Sequence, residues 1–437
     1  MGRVTFGAVG DISLSGATER AMREDGPDWP FARMRREFSR ADLLFGNLEC
    51  VLVPADIPTE VRARPGLVCG SPSDEVAAAL GDAGFGFLNL AQNHILDAGT
   101  TGLLHTREVL EATGIATGGV GATQEEARAL RTVERDGLTF GFLCYAEDNN
   151  YTLGTRGPCH AYYERDAILD DIRRHRDHVD VLVVSAHADL EFLPTPSEPR
   201  QRLFRELARA GADLVLGHHP HVSQGCESVD GALIAYSLGH GVFASHSSPY
   251  LRQRLPETAR SFLLLVEFGA DGIESWERVP FTIGTPPEER PAPDEGGERA
   301  RALARLAELD ALAADADFVR RTWQTAAERQ FSNYVRHAVT PESFRHSKWR
   351  LAAARLLGIP YPRDPVEMDR LIGELVPRLL FTAENREWLE EIGRMARAEW
   401  EAWNTEPADP HARPHDRIRN RRRSPDAPRP DRPTGTP

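Results

Sequence analysis

The segment Gly217-His218-His219-Pro220-His221 carries three histidines in five residues and follows Ala212-Asp213-Leu214-Val215-Leu216, an apolar run of strand length. Neutral imidazole is the commonest nitrogen donor to transition metals, and two histidines one residue apart on a turn can face one ion. A His-rich surface loop would contain the same five residues, so the pentapeptide alone leaves both readings open. Other polar residues recur in the same setting. Asp11 follows the apolar run Val4 to Val9, Glu49 follows Leu43-Leu44-Phe45, Asn93 follows Phe85 to Leu90, and His187 follows Val179 to Ser185. Taken singly, each could be a turn residue or a helix cap. Asp11, Glu49, Asn93, His187, His219 and His221, all just past expected strands, form a pattern that capping does not explain.

Two carboxylates, one amide oxygen and three imidazoles make a mixed oxygen and nitrogen donor set, which suits Mn, Fe, Zn or Co better than Ca or Mg. Glu49 could bridge two such ions about 3.5–4 Å apart. A pair of that kind supplies hydroxide near neutral pH and clamps attacking and leaving oxygens. Asn47 and Glu49 alternate with Leu48, so both project to one side of an extended segment. His94, next to Asn93, is left free for proton transfer.

The elements that must position these groups follow from the apolar pattern. In open α/β sheets, ligands gather beyond the carboxyl ends of the strands. Helices are expected over about residues 31–40, from Ser71-Pro72-Ser73-Asp74-Glu75 to Gly84, and over about 100–112, 166–175 and 199–210. Residues 54–70, rich in proline and charge, read as a loop or lid. Asp136-Gly137 and Asp230-Gly231, each flanked by apolar runs, predict two hairpins. Runs at 262–268 and 273–279 close the domain. Antiparallel additions to a helix-strand alternation predict mixed sheets in an α/β fold.

A chain of 437 residues is expected to form two or three units. Residues 1–285 read as the α/β domain and 286–297, with Pro, Glu and Gly, as a linker. Ala, Leu, Arg and Glu at helical spacing predict a helical region over 298–404, where Trp323, Trp349, Trp388, Trp400 and Trp403 read as packing residues. Residues 405–437 read as a disordered tail, with Arg421-Arg422-Arg423 in a solvated run. A formal charge of -14 argues against nucleic acid as partner. Five scattered cysteines without a C-x-x-C pair suit reduced thiols. The sequence has no apolar run of membrane-spanning length and no amino-terminal signal pattern, so a cytoplasmic protein without a membrane span is expected.

Gly10-Asp11, Asn47-Leu48-Glu49, Asn93-His94 with Asp97 and Gly99, His187 with Glu191, His219-Pro220-His221 and Tyr236-Ser237-Leu238-Gly239 stand in that order over about residues 3–283. This order resembles the poly-gamma-glutamate capsule biosynthesis (CapA-like) family of the calcineurin-like metallophosphoesterase superfamily. The resemblance implies a four-layer α/β/β/α sandwich with two divalent transition-metal ions, Mn, Fe or Zn, at the strand ends. Carried over, Asp11 and His221 would hold the first ion, Glu49 would bridge, and Asn93, His187 and His219 would hold the second. His94 would face the scissile group. Asn47, Asp97, Glu191, Ser237 and His240 would line the pocket. The chain departs from the superfamily's Asp-x-His at Ser13, from the family's His-Trp-Gly at Ala188-Asp189, and from Gly-Asn-Phe at His240-Gly241. The changes beside the pocket point to an altered substrate or to an added ligand in His240.

The expected function is a metal-dependent hydrolase that uses a metal-activated water on a phosphoester or on an amide or gamma-glutamyl bond of a cytosolic small molecule or peptide. An arginine clamp would favour phosphate; Arg62, Arg64 or Arg260 could supply one, although each reads better as exposed surface. The alternative is a non-catalytic, metal-binding accessory protein for poly-gamma-glutamate or related polymer synthesis. The C-terminal helices could then dock a protein partner.

Overall fold

The computed structural model describes residues 2–57, 66–147 and 157–338, with side chains to residue 327. Val4–Ile12, Leu43–Leu48 and Val181–His187 are apolar almost throughout because both faces of each are covered. Among the described residues they belong to two main sheets. In the first, the order is Pro291–Pro293, Gly272–Ile283, Arg260–Gly269, Val4–Ile12, Leu43–Leu48, Phe85–Asn89 and Ala116–Gly118, with His240–Val242 also paired to Val4–Ile12. In the second, the order is Cys226–Val229, Ala232–Ala235, Leu214–His218, Val181–His187, Leu138–Ala146 and Arg131–Arg135. Both sheets are mixed. In the first, the strands from Val4–Ile12 to the Ala116–Gly118 edge pair parallel and those on the other side antiparallel. In the second, parallel central strands are flanked by antiparallel ones at both edges.

The sheets face each other across a core of phenylalanines. Phe6 and Phe45 of the first sheet stack on Phe140 and Phe142 of the second, at ring-centroid distances of 5.8 and 6.1 Å, and Phe87 lies 3.8 Å from Phe142. On the outer face of the first sheet, Val76 and Leu80 of helix Ser73–Asp82 and Leu103 and Leu110 of helix Gly99–Ala112 cover Leu44 and Leu88. On the outer face of the second, Ile168 and Ile172 of helix Arg165–His175 and Phe204 and Leu207 of helix Glu198–Ala210 cover Leu182 and Val215. The result is the four-layer α/β/β/α sandwich.

Both expected hairpins form. Asp136 and Gly137 (φ 48° and 84°) and Asp230 and Gly231 (φ 51° and 92°) take the two successive positive angles that a two-residue turn of this hand requires. The helix expected over 31–40 shortens to Arg35–Phe38, and an unexpected helix covers Gly16–Asp25. In the stretch 286–297, expected as a linker, Pro291–Pro293 instead pairs with Phe281–Ile283, and a helix starts at Gly296. Proline fits there because an edge strand leaves one side without a ladder bond. Leu306 and Leu309 of helix Gly296–Ala314 then enter the core between the sheets. The next helix, Ala316–Ala338, packs Trp323 on Leu190. Arg62, Arg64, the other C-terminal tryptophans, Arg421 to Arg423 and the expected tail lie outside the described residues. The five cysteines are free and buried, and no helix among the described residues is long and apolar enough to cross a membrane.

The two sheets are tied together at one end by Tyr236 to Gly239. Leu238 N–H donates to Gly217 O (3.1 Å) in the second sheet, and Gly239 O accepts from Asp11 N–H (2.9 Å) in the first. The contact is so close that a Cβ on Gly10 would lie 1.8 Å from Gly239 O, and one on Gly217 1.9 Å from Tyr236 O. Gly10→Ala is therefore expected to destabilise by at least about 1–3 kcal/mol. Gly81→Ala, whose added methyl meets open space inside a helix, should be neutral or stabilising. Equal urea midpoints for the two variants would refute this account of the junction.

Candidate metal centre

Strand register sets the site. In the first sheet His240, Asp11, Asn47 and Asn89 are successive neighbours across four parallel strands. Asn89 Nδ2 donates to Asn47 Oδ1 (2.6 Å), and Asn47 Nδ2 donates to Asp11 Oδ1 (2.8 Å) and lies 3.1 Å from His187 Nδ1. In the second sheet His187 pairs beside His218. The first strand therefore delivers a carboxylate that amides hold in place, and the second sheet delivers imidazoles opposite it.

Beyond the strand ends the remaining donors converge. Glu49 N–H is held by Ile12 O (2.8 Å). Glu49 Oε1 lies 3.8 Å from His187 Nε2, 3.8 Å from His221 Nε2 and 4.0 Å from His94 Nε2. His187 Nε2 lies 2.9 Å from Asn93 Oδ1 and 3.2 Å from His219 Nδ1. Asp11 Oδ2 accepts from His219 N–H (3.3 Å) and sits 3.6 Å from His221 Nδ1. His219 and His221 adopt φ of 91° and 58°, backbone that a β-carbon disfavours. The intervening Pro220 O accepts Phe192 N–H (2.9 Å), which holds the turn.

Every residue of the expected ligand set meets in this cluster. Of the expected pocket residues, Asn47 braces Asp11, His240 touches His221, and Glu191 Oε1 lies 3.8 Å from His221 Nε2 while Oε2 accepts from Tyr250 O–H. Asp97 Oδ2 lies 2.7 Å from His94 Nδ1 and accepts Leu67 N–H. Ser237 is a brace behind the pocket, its hydroxyl donating to Val222 O (2.8 Å). Arg260 is exposed and pairs with Glu257 at 3.9 Å.

Burial governs the electrostatics. It pushes the Glu49 carboxyl well above its ordinary range, and the neighbouring Asp11 and Glu191 push it the same way. Burial also opposes charge on Asp11, but the contact with His221 and the imidazoles of His187 and His218 outweigh it and hold that carboxyl low. Burial lowers His187 well below the usual imidazole value and His219 to about 3, keeping both as neutral donors. His221 is raised, because its contacts with Asp11 and Glu191 exceed the burial penalty.

The donors fit a cation. Both Glu49 carboxylate oxygens are buried and neither has a hydrogen-bond partner. Ligand atoms held by one tetrahedral ion at ~2.1 Å lie roughly 3.4 Å apart. The distances of 2.9, 3.2 and 3.8 Å around His187 Nε2 bracket that separation. Asp11, Glu49 and His187, and likewise Glu49, His219 and His221, each form a group able to hold an ion.

Residues 5–245 match the family model described as "Bacterial capsule synthesis protein PGA_cap". The chain belongs to that family. PGA biosynthesis protein CapA of Bacillus subtilis (strain 168) is 26% identical over 288 residues, covering 65% of this chain and 72% of that protein. Capsule biosynthesis protein CapA of Bacillus anthracis is 26% identical over 249 residues, covering 55% of this chain and 60% of that protein, less than two thirds of its length. A crystal structure of a hypothetical protein from Thermus thermophilus is similar at a TM-score of 0.40 and 15% identity, covering 64% of this chain and 99% of that one. Likeness that loose adds nothing to the strand order given above.

Within this capsule-synthesis family member, several site neighbours escape a reading of the sequence. His218 is buried with both ring nitrogens lacking a hydrogen bond, Nδ1 lying 3.6 Å from Asp11 Oδ1. Behind His187, Glu147 pairs with the buried Arg200, whose guanidinium lies 4.0 Å over Tyr163, and its Oε2 accepts Asp189 N–H (2.9 Å). Asp189 stands at φ 95°, backbone suited to glycine, with its carboxylate held by Leu190 and Ser197 N–H. Once chelated, Glu49→Gln should be more stable than the parent at neutral pH by about 1–3 kcal/mol, because the amide removes a carboxyl that is ionised in the unfolded chain and opposed by burial in the folded one. Thermal unfolding of both chelated proteins checks this, and a less stable variant would refute it.

Proposed function

We propose that this chain is a metal-dependent hydrolase whose centre holds two divalent ions. The observation carrying this reading is the Glu49 carboxylate, buried without a hydrogen-bond partner and faced by the imidazoles of His94, His187 and His221. An uncompensated carboxylate is costly to bury, and a cation removes that cost. Asp11 and His221 would hold the first ion, Asn93, His187 and His219 the second, and Glu49 both. Bound there, the ions would supply Lewis acidity and an acidified water as nucleophile.

The rest of the chemistry falls to the chain. His94 sits at the mouth of the cluster, partly exposed, with Nδ1 bound to Asp97 and Nε2 directed toward Glu49. Asp97 fixes the ring so that Nε2 can give a proton to the departing oxygen or nitrogen. Glu191 and Tyr250 border the same mouth. The bond cut is a phosphoester or an amide of gamma-glutamyl type. The second is supported by the names of the relatives, which assign them to PGA and capsule biosynthesis. Those names also support an accessory, non-catalytic role in polymer synthesis, in which the same centre would bind metal without turnover. A small molecule or peptide is the proposed substrate, and the cytoplasm the proposed compartment.

Full-length protein purified without a metal-affinity tag should contain about two divalent ions per chain by elemental analysis. His219→Ala should lower that content. His94→Gln should keep it while reducing turnover about 10²–10⁴-fold on whichever of a phosphoester or gamma-glutamyl panel the parent hydrolyses. Metal content near zero after loading with Mn or Zn would end the hydrolase reading. Two ions with no turnover on either panel would favour the accessory role.

A further inference from the structure

The geometry points to His240 as a direct ligand of the first ion, joining Asp11 and His221 through its Nε2 atom. This inference rests on the two-ion reading above and adds a nitrogen donor to it. Register comes first. His240–Val242 runs parallel to Val4–Ile12 with His240 paired to Asp11, so the two side chains stand side by side. His240 Nε2 lies 3.0 Å from His221 Nδ1, and that nitrogen lies 3.6 Å from Asp11 Oδ2. The three groups form a buried cluster able to hold an ion. Their separations bracket the roughly 3.4 Å edge of a tetrahedral site.

The hydrogen bond on the far side of the ring fixes its tautomer. His240 Nδ1 lies 2.7 Å from Thr258 O, and a carbonyl oxygen can only accept. Nδ1 therefore carries the proton, and Nε2 presents a lone pair to Asp11 and His221. Metal-binding histidines are commonly oriented this way, one nitrogen donating to a backbone carbonyl and the other facing the ion. Ser245 strengthens the cradle, since its hydroxyl also donates to Thr258 O (2.7 Å). The first strand offers no competing nitrogen, because Ser13 turns its hydroxyl to Ser15 Oγ at 2.9 Å. A purely structural His240 would instead accept a proton from His221 Nδ1 and leave that nitrogen closed to metal.

The test titrates the chelated full-length protein with cobalt(II) alone, following visible absorption and equilibrium-dialysis stoichiometry. The variants are His240→Asn, His240→Gln and His187→Ala. Asparagine can keep the donor to Thr258 O while removing the lone pair, and glutamine returns an oxygen near the Nε2 position. The expected result is two ions in the parent and loss of one in His240→Asn, by more than about tenfold in affinity, the effect of removing a group that merely orients a ligand. His240→Gln should recover part of that affinity, and His187→Ala should weaken the other ion. If the parent binds two ions and His240→Asn binds both with unchanged affinity and spectrum, His240 is structural and the two-ion reading survives. If the parent binds none, both fall. A single ion that His240→Asn loses supports the ligand and removes the second site, whereas a single ion it retains overturns the assignment. Far-ultraviolet circular dichroism of each variant, matching the parent, shows that loss of metal is not loss of fold.

Discussion

Two carboxylates buried in one pocket are the constraint on which this structure turns. Asp11 is compensated by the Asn47 amide, the His219 backbone N–H and nearby imidazoles, whereas Glu49 has no hydrogen bond at either oxygen. Desolvation of an unpaired carboxylate exceeds what a few packed side chains return. The surrounding imidazoles cannot all answer it with charge, because burial drives His187 far down, His218 to about 4 and His219 to about 3. Burial instead pushes the Glu49 carboxyl well above its ordinary range, so the pocket gathers uncharged imidazoles around a carboxyl that has no hydrogen-bond partner.

The holding is done by backbone more than by side chains. Tyr236 to Gly239 bonds to Gly217 on one side and to Asp11 on the other, so the carboxyl ends of two sheets meet through one strap. Gly10 and Gly217 are required because carbonyls pass where a β-carbon would stand. The same strap places His240 directly after Gly239, beside Asp11. The junction and the placement of His240 thus belong to one segment. A change that loosens the junction would move side chains of the candidate site on both sheets at once.

Much of this arrangement is readable from the residues. Apolar runs of strand length locate each strand that carries a donor, since a strand covered on both faces must be apolar throughout. That same cover hides which neighbours matter. Without alternation, nothing in Leu214–His218 says that His218 turns toward Asp11, and nothing in Phe85–Asn89 says that Asn89 braces Asn47. The Glu147, Asp189 and Arg200 network joins residues more than forty positions apart, beyond any local pattern. Composition misleads at 286–297, where Pro, Glu and Gly read as a linker while the chain adds an edge strand and a helix whose Leu306 and Leu309 enter the core.

The family match ends at residue 245, yet the site depends on residues past that point. Arg260–Gly269 pairs antiparallel with Val4–Ile12, and so flanks the strand that presents Asp11. Thr258 O orients His240. The segment after His187 is held from two directions, by Pro220 O accepting Phe192 N–H and by Trp323 packing on Leu190. Glu191 lies between those two anchors, at the mouth beside His221. The rim at Glu191 and Phe192 is thus anchored in part by a residue beyond the matched segment, Trp323, whereas Asp11 and Glu49 are held by contacts that lie within it.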